Sequence, residues 1–397
     1  MAEFDVIFAG GGLSTGLIAL KLKKAKPQLR MAIVEQGPRL GGNHTWSFHG
    51  SDVGTEDLRD LQPMVRSSWP AQDVRFPDLR RTLRTSYSTI VSDDFHEHIS
   101  ERFGEGVLLN QKVSDVSSSG VTLAGGEVLS APCVIDGRGP RREISNRLAL
   151  AWQKFFGLEV ELQEPHGLKR PTIMDATVAQ TDGYRFFYCL PFTETSLLIE
   201  DTYYSTSMQL DQANAAEHVF AYARERGWKI ARIEREEIGC LPIVLAGKSD
   251  AFDAGPEDAV PCGLRAGLFH AGTGYSLPDA VRAANAIAGI DRLTTDAARE
   301  TIAKLRTQVW EQGKFYRLLN RLLFIAAQGE EKREIMQRFY RFPEPLIERF
   351  YAGRSTALDK FKVLSGKPPI PLGNAALAVP AQSAWQFVSD GATARGR

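Results

Sequence analysis

The chain has 397 residues, and its 48 lysines and arginines balance its 48 aspartates and glutamates. This length favours more than one domain, and the neutral charge argues against a nucleic-acid-binding protein, which is usually basic. No apolar run reaches the roughly 18 residues expected of a membrane span, and the cysteines form no C-x-x-C pair, so we expect reduced core cysteines in a cytosolic protein without a signal peptide.

The first elements in chain order predict a nucleotide-binding unit. A short apolar run at 4–9 predicts a buried strand, glycines follow it at 10–12, and leucines at helical spacing predict a helix. A second apolar run at 31–34 predicts another strand, which ends at Glu35. A glycine-rich turn between a strand and a helix is the context that gives this short motif its weight.

Five residues of this unit are candidate cofactor contacts. Gly10 and Gly12 permit a tight turn and close approach of the backbone to a pyrophosphate, which would lie at the start of the helix near Leu13. Glu35 is placed to accept hydrogen bonds from ribose hydroxyls and would repel a 2′-phosphate, so the site favours FAD or NAD over NADP. Thr15 stands where the third glycine of the motif is usual.

Two later stretches predict further flavin contacts. A strand at 128–135 is expected to close the first lobe, and Asp136 and Arg138 follow in a glycine-containing turn. Gly272, Gly274 and Tyr275 lie between an expected return strand at 268–270 and an expected helix at 278–293. They resemble a late glycine motif of flavoproteins, although His270 and Ala271 replace its usual Asp. An ordinary turn is the alternative in both places.

The remaining elements complete the domain prediction. Strand-like runs at 155–162, 173–178, 184–190 and 196–201 predict a β-rich lobe, and 295–351 is expected to be helical. We therefore predict an α/β fold with these parts: a Rossmann-like FAD-binding domain at 1–150 that resumes at 263–294, an inserted β-rich substrate domain at 151–262, a helical and membrane-facing region at 295–372, and a flexible tail at 373–397.

The adjacent acids Glu200 and Asp201 end an apolar run and are the most informative stretch of the chain. A carboxylate is costly to bury unless it is paired or protonated. We expect Glu200 to face an apolar chamber and to keep its proton. Strand alternation would place Asp201 on the other face, where it orients a neighbour or meets the flavin side. A satisfied structural carboxylate is the alternative for Glu200.

Several short segments, taken together and in order, resemble the bacterial type of lycopene β-cyclase. They cover the chain from the glycine turn to about residue 371 and are 10–16, 152–157, 174–177, 184–188, 199–202, 239–243, 274–278 and 349–351. The resemblance implies a peripheral membrane enzyme that closes both ends of lycopene into β-rings through γ-carotene. It also implies reduced FAD without net redox change, and an essential first acid, Glu200.

We add four expectations to this resemblance. NADPH is expected as the electron donor, a membrane lipid surface and other carotenoid enzymes as partners, and the cytoplasmic side of the cell membrane as the location.

Ring closure needs a proton at C2, attack of C5=C6 on the C1 cation, and loss of the C6 proton. Glu200 is the candidate acid and Asp201 a weaker catalytic candidate. Reduced flavin is the candidate cation stabiliser, but the sequence leaves open whether it is itself the acid.

Other residues receive weaker assignments. Aromatic side chains near the acids offer cation–π attraction or simply pack in the core: Trp152, Phe155, Tyr184, Phe186 and Phe187. His44 and His270 are expected to be structural, and no metal site is predicted. A helix suited either to a lipid interface or to packing on its own domain carries Trp310, Lys314, Phe315, Tyr316, Arg317, Leu319, Arg321, Leu322, Leu323 and Phe324.

Two other functions remain open on the residues alone. One is an FAD-dependent oxidoreductase, either a monooxygenase or a prenyl reductase, acting on a hydrophobic isoprenoid; it would consume NADPH or oxygen in proportion to product. The other is a carotenoid- or lipid-binding flavoprotein without catalysis.

Overall fold

The structure, a computed structural model, describes residues 3–141, 146–255, 257–366 and 370–393. Its strands are β1 (Val6–Ala9), β2 (Met31–Val34), β3 (Thr45–His49), β4 (Val65–Trp69), β5 (Gln72–Phe76), β6 (Leu79–Leu83), β7 (Tyr87–Val91), β8 (Val107–Leu108), β9 (Val113–Val116), β10 (Gly120–Leu123), β11 (Val128–Ser130), β12 (Cys133–Asp136), β13 (Leu148–Leu162), β14 (Thr172–Asp175), β15 (Tyr184–Pro191), β16 (Ser196–Ser205), β17 (Ile230–Gly247) and β18 (Val260–Pro261). Its α-helices are α1 (Leu13–Ala25), α2 (Thr55–Leu61), α3 (Ser92–Phe103), α4 (Gln212–Glu225), α5 (Leu277–Ala288), α6 (Thr295–Arg321), α7 (Glu331–Phe339), α8 (Glu344–Tyr351), α9 (Ala357–Leu364), α10 (Leu372–Ala378) and α11 (Ala381–Thr393).

A parallel five-stranded sheet forms the first lobe, in the order β18-β12-β1-β2-β8. Its central strands are apolar and buried on both faces, because α1 and α5 pack on one side and the small sheet β11-β10-β9 covers the other. The turns after β1 and β12 therefore lie together at the carboxyl edge of the sheet, where open α/β sheets bind ligands.

A seven-stranded sheet forms the second lobe, in the order β17-β13-β16-β15-β14-β5-β6. Helix α4 packs on one face through residues such as Val219 and Tyr222. The other face meets the small sheet β3-β7-β4 and the C-terminal helices, whose buried residues include Phe324, Phe339 and Tyr340. Alternate side chains of β16 therefore enter two different environments.

The predicted α/β fold is confirmed, with its Rossmann-like lobe, its β-rich lobe and its helical C-terminal region. Three details of secondary structure are wrong. Residues 268–270 form no strand, because the His270 N–H donates across a turn to the Tyr275 carbonyl at 2.8 Å. The run 128–135 forms two strands in different sheets, separated at Pro132, which has no N–H to donate. The helix expected to reach residue 293 ends at Ala288, where Gly289 follows.

The predicted domain limits also differ from the sheets that form. Strands β5 and β6 lie within the segment assigned to the first domain, yet they pair with each other and with β14 in the large sheet. Strand β13 of that sheet begins at Leu148, before the predicted boundary at 151. The tail predicted to be flexible contains α10 and α11, because its alanines favour helix and Ala378 and Ala384 find buried positions. Residues 394–397 lie outside the described part of the chain.

The helix considered for a lipid interface instead packs on the protein. Phe315, Tyr316, Leu323 and Phe324 of α6 and the π-helical turn after it are buried. The guanidinium of Arg317 stacks 4.0 Å from the ring of Trp310. Across the described ranges, no helix is long and apolar enough to cross a bilayer.

Candidate active site

The glycine turn after β1 is closely packed against the turn after β12. Gly10 has a φ of +92°, and an added Cβ would lie 2.9 Å from the Gly137 carbonyl oxygen, so only glycine fits. Thr15 Oγ1 lies 2.7 Å from Gly10 O and 2.8 Å from Gly12 O, where its hydroxyl ties the turn. Gly16 takes over the role of the absent third glycine in close packing of the helix. A Cβ added at Gly16 would lie 2.3 Å from the Phe95 ring.

The start of α1 has the features of an anion site. The helix begins at Leu13 without a side-chain cap, so its first N–H groups are available to a ligand. An added Cβ on Gly12 would meet only the Gly137 oxygen, at 3.9 Å, which leaves open space beside the turn. The buried Ser14 hydroxyl has no hydrogen-bond partner within the described residues. This cradle fits a dinucleotide pyrophosphate.

Glu35 lies beside the same turn. Its two carboxylate oxygens accept hydrogen bonds from the Gly11 and Gly37 N–H groups, each at 2.8 Å. The residue therefore braces the turn, and it keeps further lone pairs for a ribose hydroxyl.

Asp136 ends β12 next to the glycine turn and is held by two arginines. Arg138 donates two hydrogen bonds of 2.9 Å to its carboxylate, and Arg265 Nε lies 2.8 Å from Oδ2. Burial acts to raise the pKa of Asp136, but the hydrogen bond from Arg138 and the charge of Arg265 outweigh it and lower the pKa. Asp136 is therefore an anion that positions basic side chains at the sheet edge.

The turn at 270–275 leads into α5 and borders a cavity. Gly274 has a φ of +69°, and an added Cβ would lie 2.6 Å from Leu241 Cβ. Burial lowers the pKa of His270 to about 4, so the ring is neutral. Its Nδ1 accepts from the Gly272 N–H at 3.1 Å and its Nε2 lies 3.0 Å from the Phe350 oxygen. The structural role expected of His270 agrees with these contacts.

The cavity, about 190 Å³ in volume, lies between the large sheet, β3, β7 and the C-terminal helices. We call it the acid cavity, because Glu200 lies in its wall. Aromatic and apolar side chains form most of the lining, and the turn before α5 contributes Thr273 and Tyr275. The other lining residues include Thr45, Ser47, His49, Tyr87, Gln153, Phe155, Ile173, Met174, Phe186, Tyr188, Tyr204, Leu241, Tyr340 and Tyr351.

Glu200 projects from the middle of β16 into the acid cavity and is 9% exposed. One neutral donor, the Thr202 hydroxyl, lies 2.6 Å from its Oε1. Burial, followed by the negative charge of Glu237, raises the pKa of Glu200 to about 8. At neutral pH the carboxyl group therefore holds a proton that it can donate.

Glu237 is a second acid near this site that the sequence did not reveal. Gly157 of β13 pairs with Glu200 on one side and with Glu237 of β17 on the other, and it contributes no side chain between them. Glu237 accepts from the Thr45 N–H at 2.7 Å, from the Thr45 hydroxyl at 2.6 Å and from Arg235 at 3.2 Å. Only the strand register brings the two acids together.

Asp201 faces the opposite side of the sheet and does not line the acid cavity. Arg185 donates two hydrogen bonds to its carboxylate, at 2.8 and 2.9 Å. The Tyr203 hydroxyl also donates to it, and His218 Nδ1 lies 3.2 Å away. The structure therefore separates Asp201 from the candidate catalytic group and makes it part of a buried ion pair.

The five candidate aromatic residues lie in different environments. Phe155 and Phe186 line the acid cavity. Tyr184 is fully buried in the core, and Phe187 stacks on Tyr222 on the α4 side, with ring centroids 3.9 Å apart. Trp152 packs with the cluster around α6. Only two of the five can therefore face a substrate in this cavity.

A second cavity of about 160 Å³, which we call the helix cavity, adjoins the acid cavity. The two share Tyr204, Thr273 and Tyr351 in their walls. The helix cavity is largely apolar and lies among α6, α7, α8 and α9, and its lining reaches Leu364. No cluster of three or more potential metal ligands occurs in the described ranges.

Exposed large apolar side chains are concentrated beyond the helix cavity, on α9 to α11. Those in this part of the chain are Leu358, Phe361, Leu364, Leu372, Leu377, Val379 and Trp385, which we call the C-terminal apolar surface. Leu364 belongs to both features, since it lines the helix cavity and is 49% exposed. Apolar side chains therefore line neighbouring cavities between this surface and Glu200.

The chain matches a known protein family over most of its length. The family model described as "Lycopene cyclase protein" matches residues 5–377. The chain is 47% identical to a lycopene beta-cyclase of Pseudescherichia vulneris over 371 residues, covering 94% of this chain and 96% of that protein. It is 44% identical to a lycopene beta-cyclase of Pantoea ananas, covering 93% and 96%.

Solved structures with low sequence identity share the fold. A geranylgeranyl bacteriochlorophyll reductase-like protein of Thermoplasma acidophilum aligns with a TM-score of 0.63 at 12% identity, covering 92% of this chain and 96% of that chain. A probable FAD-dependent monooxygenase of Pseudomonas aeruginosa aligns with a TM-score of 0.56 at 14% identity, covering 85% and 99%.

Proposed function

The chain belongs to the lycopene cyclase family, and we propose that it converts lycopene through γ-carotene to β-carotene by proton-initiated ring closure. The observation that carries this proposal is Glu200, a buried acid with a pKa of about 8 in an aromatic cavity. An alkene is a weak base, so its protonation needs a positioned acid in a site that excludes water.

In the proposed mechanism, Glu200 donates its proton to C2 of a ψ-end. The C5=C6 bond attacks the resulting C1 cation and forms the six-membered ring, and loss of the C6 proton gives the β-ring without net redox change. Phe155 and Phe186 are placed to stabilise the cation through their ring faces. The acid cavity holds one end of the substrate, and the polyene extends into the helix cavity.

The first lobe provides the proposed FAD site. Its cradle at the start of α1 fits the pyrophosphate, and the proposed contacts are Gly10, Gly12, Leu13, Thr15, Glu35, Asp136, Arg138, Gly272, Gly274 and Tyr275. Reduced FAD, with NADPH as the proposed electron donor, would supply negative charge that stabilises a cation in the adjoining cavity. The residues of this chain hold the cofactor and keep water out.

We further propose that the C-terminal apolar surface rests on a lipid bilayer at the inner face of the cell membrane. Lycopene is a hydrocarbon that dissolves in the bilayer, and Leu364 belongs both to this surface and to the lining of the helix cavity. Lys360 and Lys362 on α9 add positive charge that favours anionic lipid. Other carotenoid enzymes at the same membrane are proposed partners.

The decisive experiment is incubation of the purified protein with lycopene in lipid vesicles without oxygen, with FAD that is kept reduced by added NADPH. We expect γ-carotene and then β-carotene at unchanged mass, with NADPH consumed only in catalytic amounts. Consumption of NADPH in proportion to product would instead indicate an FAD-dependent oxidoreductase. Unchanged lycopene in the presence of bound reduced flavin would indicate a carotenoid-binding protein and contradict the proposal.

A further inference from the structure

A histidine in the wall of the acid cavity has an unused ring nitrogen. His49, at the end of β3, lines the cavity with Glu200 and is 5% exposed. Its Nε2 is buried and has no hydrogen-bond partner within the described ranges. A buried polar atom without a partner is costly, so the atom calls for a functional explanation.

The other ring nitrogen of His49 faces a buried carboxyl group. Nδ1 lies 3.5 Å from Asp52 Oδ2, and the same oxygen accepts from the His49 backbone N–H at 2.8 Å and from the Tyr275 hydroxyl at 3.1 Å. A carboxyl group at Nδ1 favours the tautomer whose Nε2 carries the free lone pair. Asp52 therefore prepares Nε2 to accept a proton.

Aromatic rings fix the orientation of His49. Its ring centroid lies 5.0 Å from that of Tyr87 and 5.2 Å from that of Tyr351. Both tyrosines line the acid cavity. The imidazole is thus held in one place at the edge of the space in which the ring would form.

We propose that His49 is the base that removes the C6 proton, with Asp52 as its positioning residue; this inference rests on the proposed cyclase function. Glu200 gives one proton to C2, and the C6–C1 bond forms. His49 Nε2 then takes the C6 proton, while the C6–H electron pair becomes the C5=C6 double bond. The substrate gains one proton and loses one, so no oxidant or reductant is consumed.

After each ring closure, Glu200 must regain a proton and His49 must lose one. The residues beside them suggest a route for this proton transfer. Tyr188 pairs with Glu200 in the register of β15 and β16. The Tyr188 hydroxyl lies 3.0 Å from the Tyr87 hydroxyl and donates to Ser47 at 2.6 Å. Since Tyr87 packs on His49, hydroxyl groups lie beside both members of the acid–base pair.

The test compares His49→Phe, which keeps an aromatic ring, with Asp52→Asn and with His98→Gln as a control on α3. Each variant is loaded with FAD, and its flavin content is measured. The reaction is run with lycopene and with lycopene deuterated at C6 and C6′. We expect His49→Phe to lose about 10²- to 10⁴-fold in rate. We also expect a larger isotope effect and, in its remaining product, rings with the double bond outside C5=C6.

Asp52→Asn should show the same changes to a smaller degree, and His98→Gln should match the wild type. If FAD-loaded His49→Phe makes only β-rings with an unchanged isotope effect, the assignment of the base is wrong. If His49→Phe does not fold, an Asp52→Asn variant with unchanged products and isotope effect overturns the proposal. Failure of the wild type to cyclise lycopene would instead remove the proposed function itself.

Discussion

The two faces of β16 place adjacent acids in opposite electrostatic environments. Glu200 and Asp201 are both buried, at 9% and 0% exposure. On the cavity face, Glu200 has one hydroxyl donor and a second acid near it. On the α4 face, Asp201 has a bidentate arginine. Burial alone therefore does not set the role of an acid, since the partners decide whether it holds a proton or a charge.

The largest loss of activity is expected from a substitution on the cavity face of β16. Glu200→Gln keeps the shape and the hydrogen bond to Thr202 but removes the donatable proton, so ring closure should fall by about 10²- to 10⁴-fold. FAD content and thermal stability should remain close to those of the wild type. Anaerobic assays with lycopene measure this, with Glu194→Gln at an exposed turn as the control. Near-normal yields of β-carotene would disprove the role of Glu200.

On the α4 face of β16, we expect a substitution to reduce stability and to leave the rate per folded molecule nearly unchanged. Asp201→Asn leaves the Arg185 guanidinium buried without its anion, and breaking a buried pair in this way costs about 3–5 kcal/mol of folding free energy. Denaturant unfolding measures the loss, with Asp78→Asn in the exposed turn between β5 and β6 as the control. Per folded molecule, the rate should stay within a few-fold of the wild type. A stable Asp201→Asn protein without activity would show that the two faces do not differ in this way.

The third prediction concerns the acid that faces Glu200 across Gly157. Only protonated Glu200 can donate, so activity should fall as the pH rises through about 8. Glu237→Gln removes a negative charge that helps to raise this pKa, so the fall should move to lower pH. The rate should drop several-fold at pH 8 and change little at pH 6. Rate–pH profiles of this variant and of the control Glu236→Gln, at an exposed neighbour, test the direction of the shift. An unchanged profile of Glu237→Gln would contradict the effect of the Glu237 charge on the pKa of Glu200.

Sequence analysis predicted the features that depend on residues close together in the chain. The strand–turn–helix unit and the opposite faces of Glu200 and Asp201 follow from short-range periodicity, and both appear in the structure. Glu237 and His49 were missed, because their proximity to Glu200 depends on strand register and on the packing of one sheet on another. The same reason explains why β5 and β6 were assigned to the wrong lobe.

The smallest expected effect on catalysis comes from a comparison of two helical surfaces that the sequence did not distinguish. The apolar side of α6 is buried, whereas α9 exposes Leu358 at 60%, Phe361 at 69% and Leu364 at 49%. Replacing these three residues with serine should reduce flotation with anionic vesicles at least about tenfold, because each apolar side chain buried in lipid contributes about 1.5–3 kcal/mol. Cyclisation of lycopene supplied in detergent should fall by less than flotation, since none of the three residues lines the acid cavity and only Leu364 lines the helix cavity. Val128→Ser, at a position 64% exposed on distant β11, is the matched control. Unchanged flotation of the triple variant would mean that the protein meets lipid through another surface, and that lycopene does not enter past Leu364.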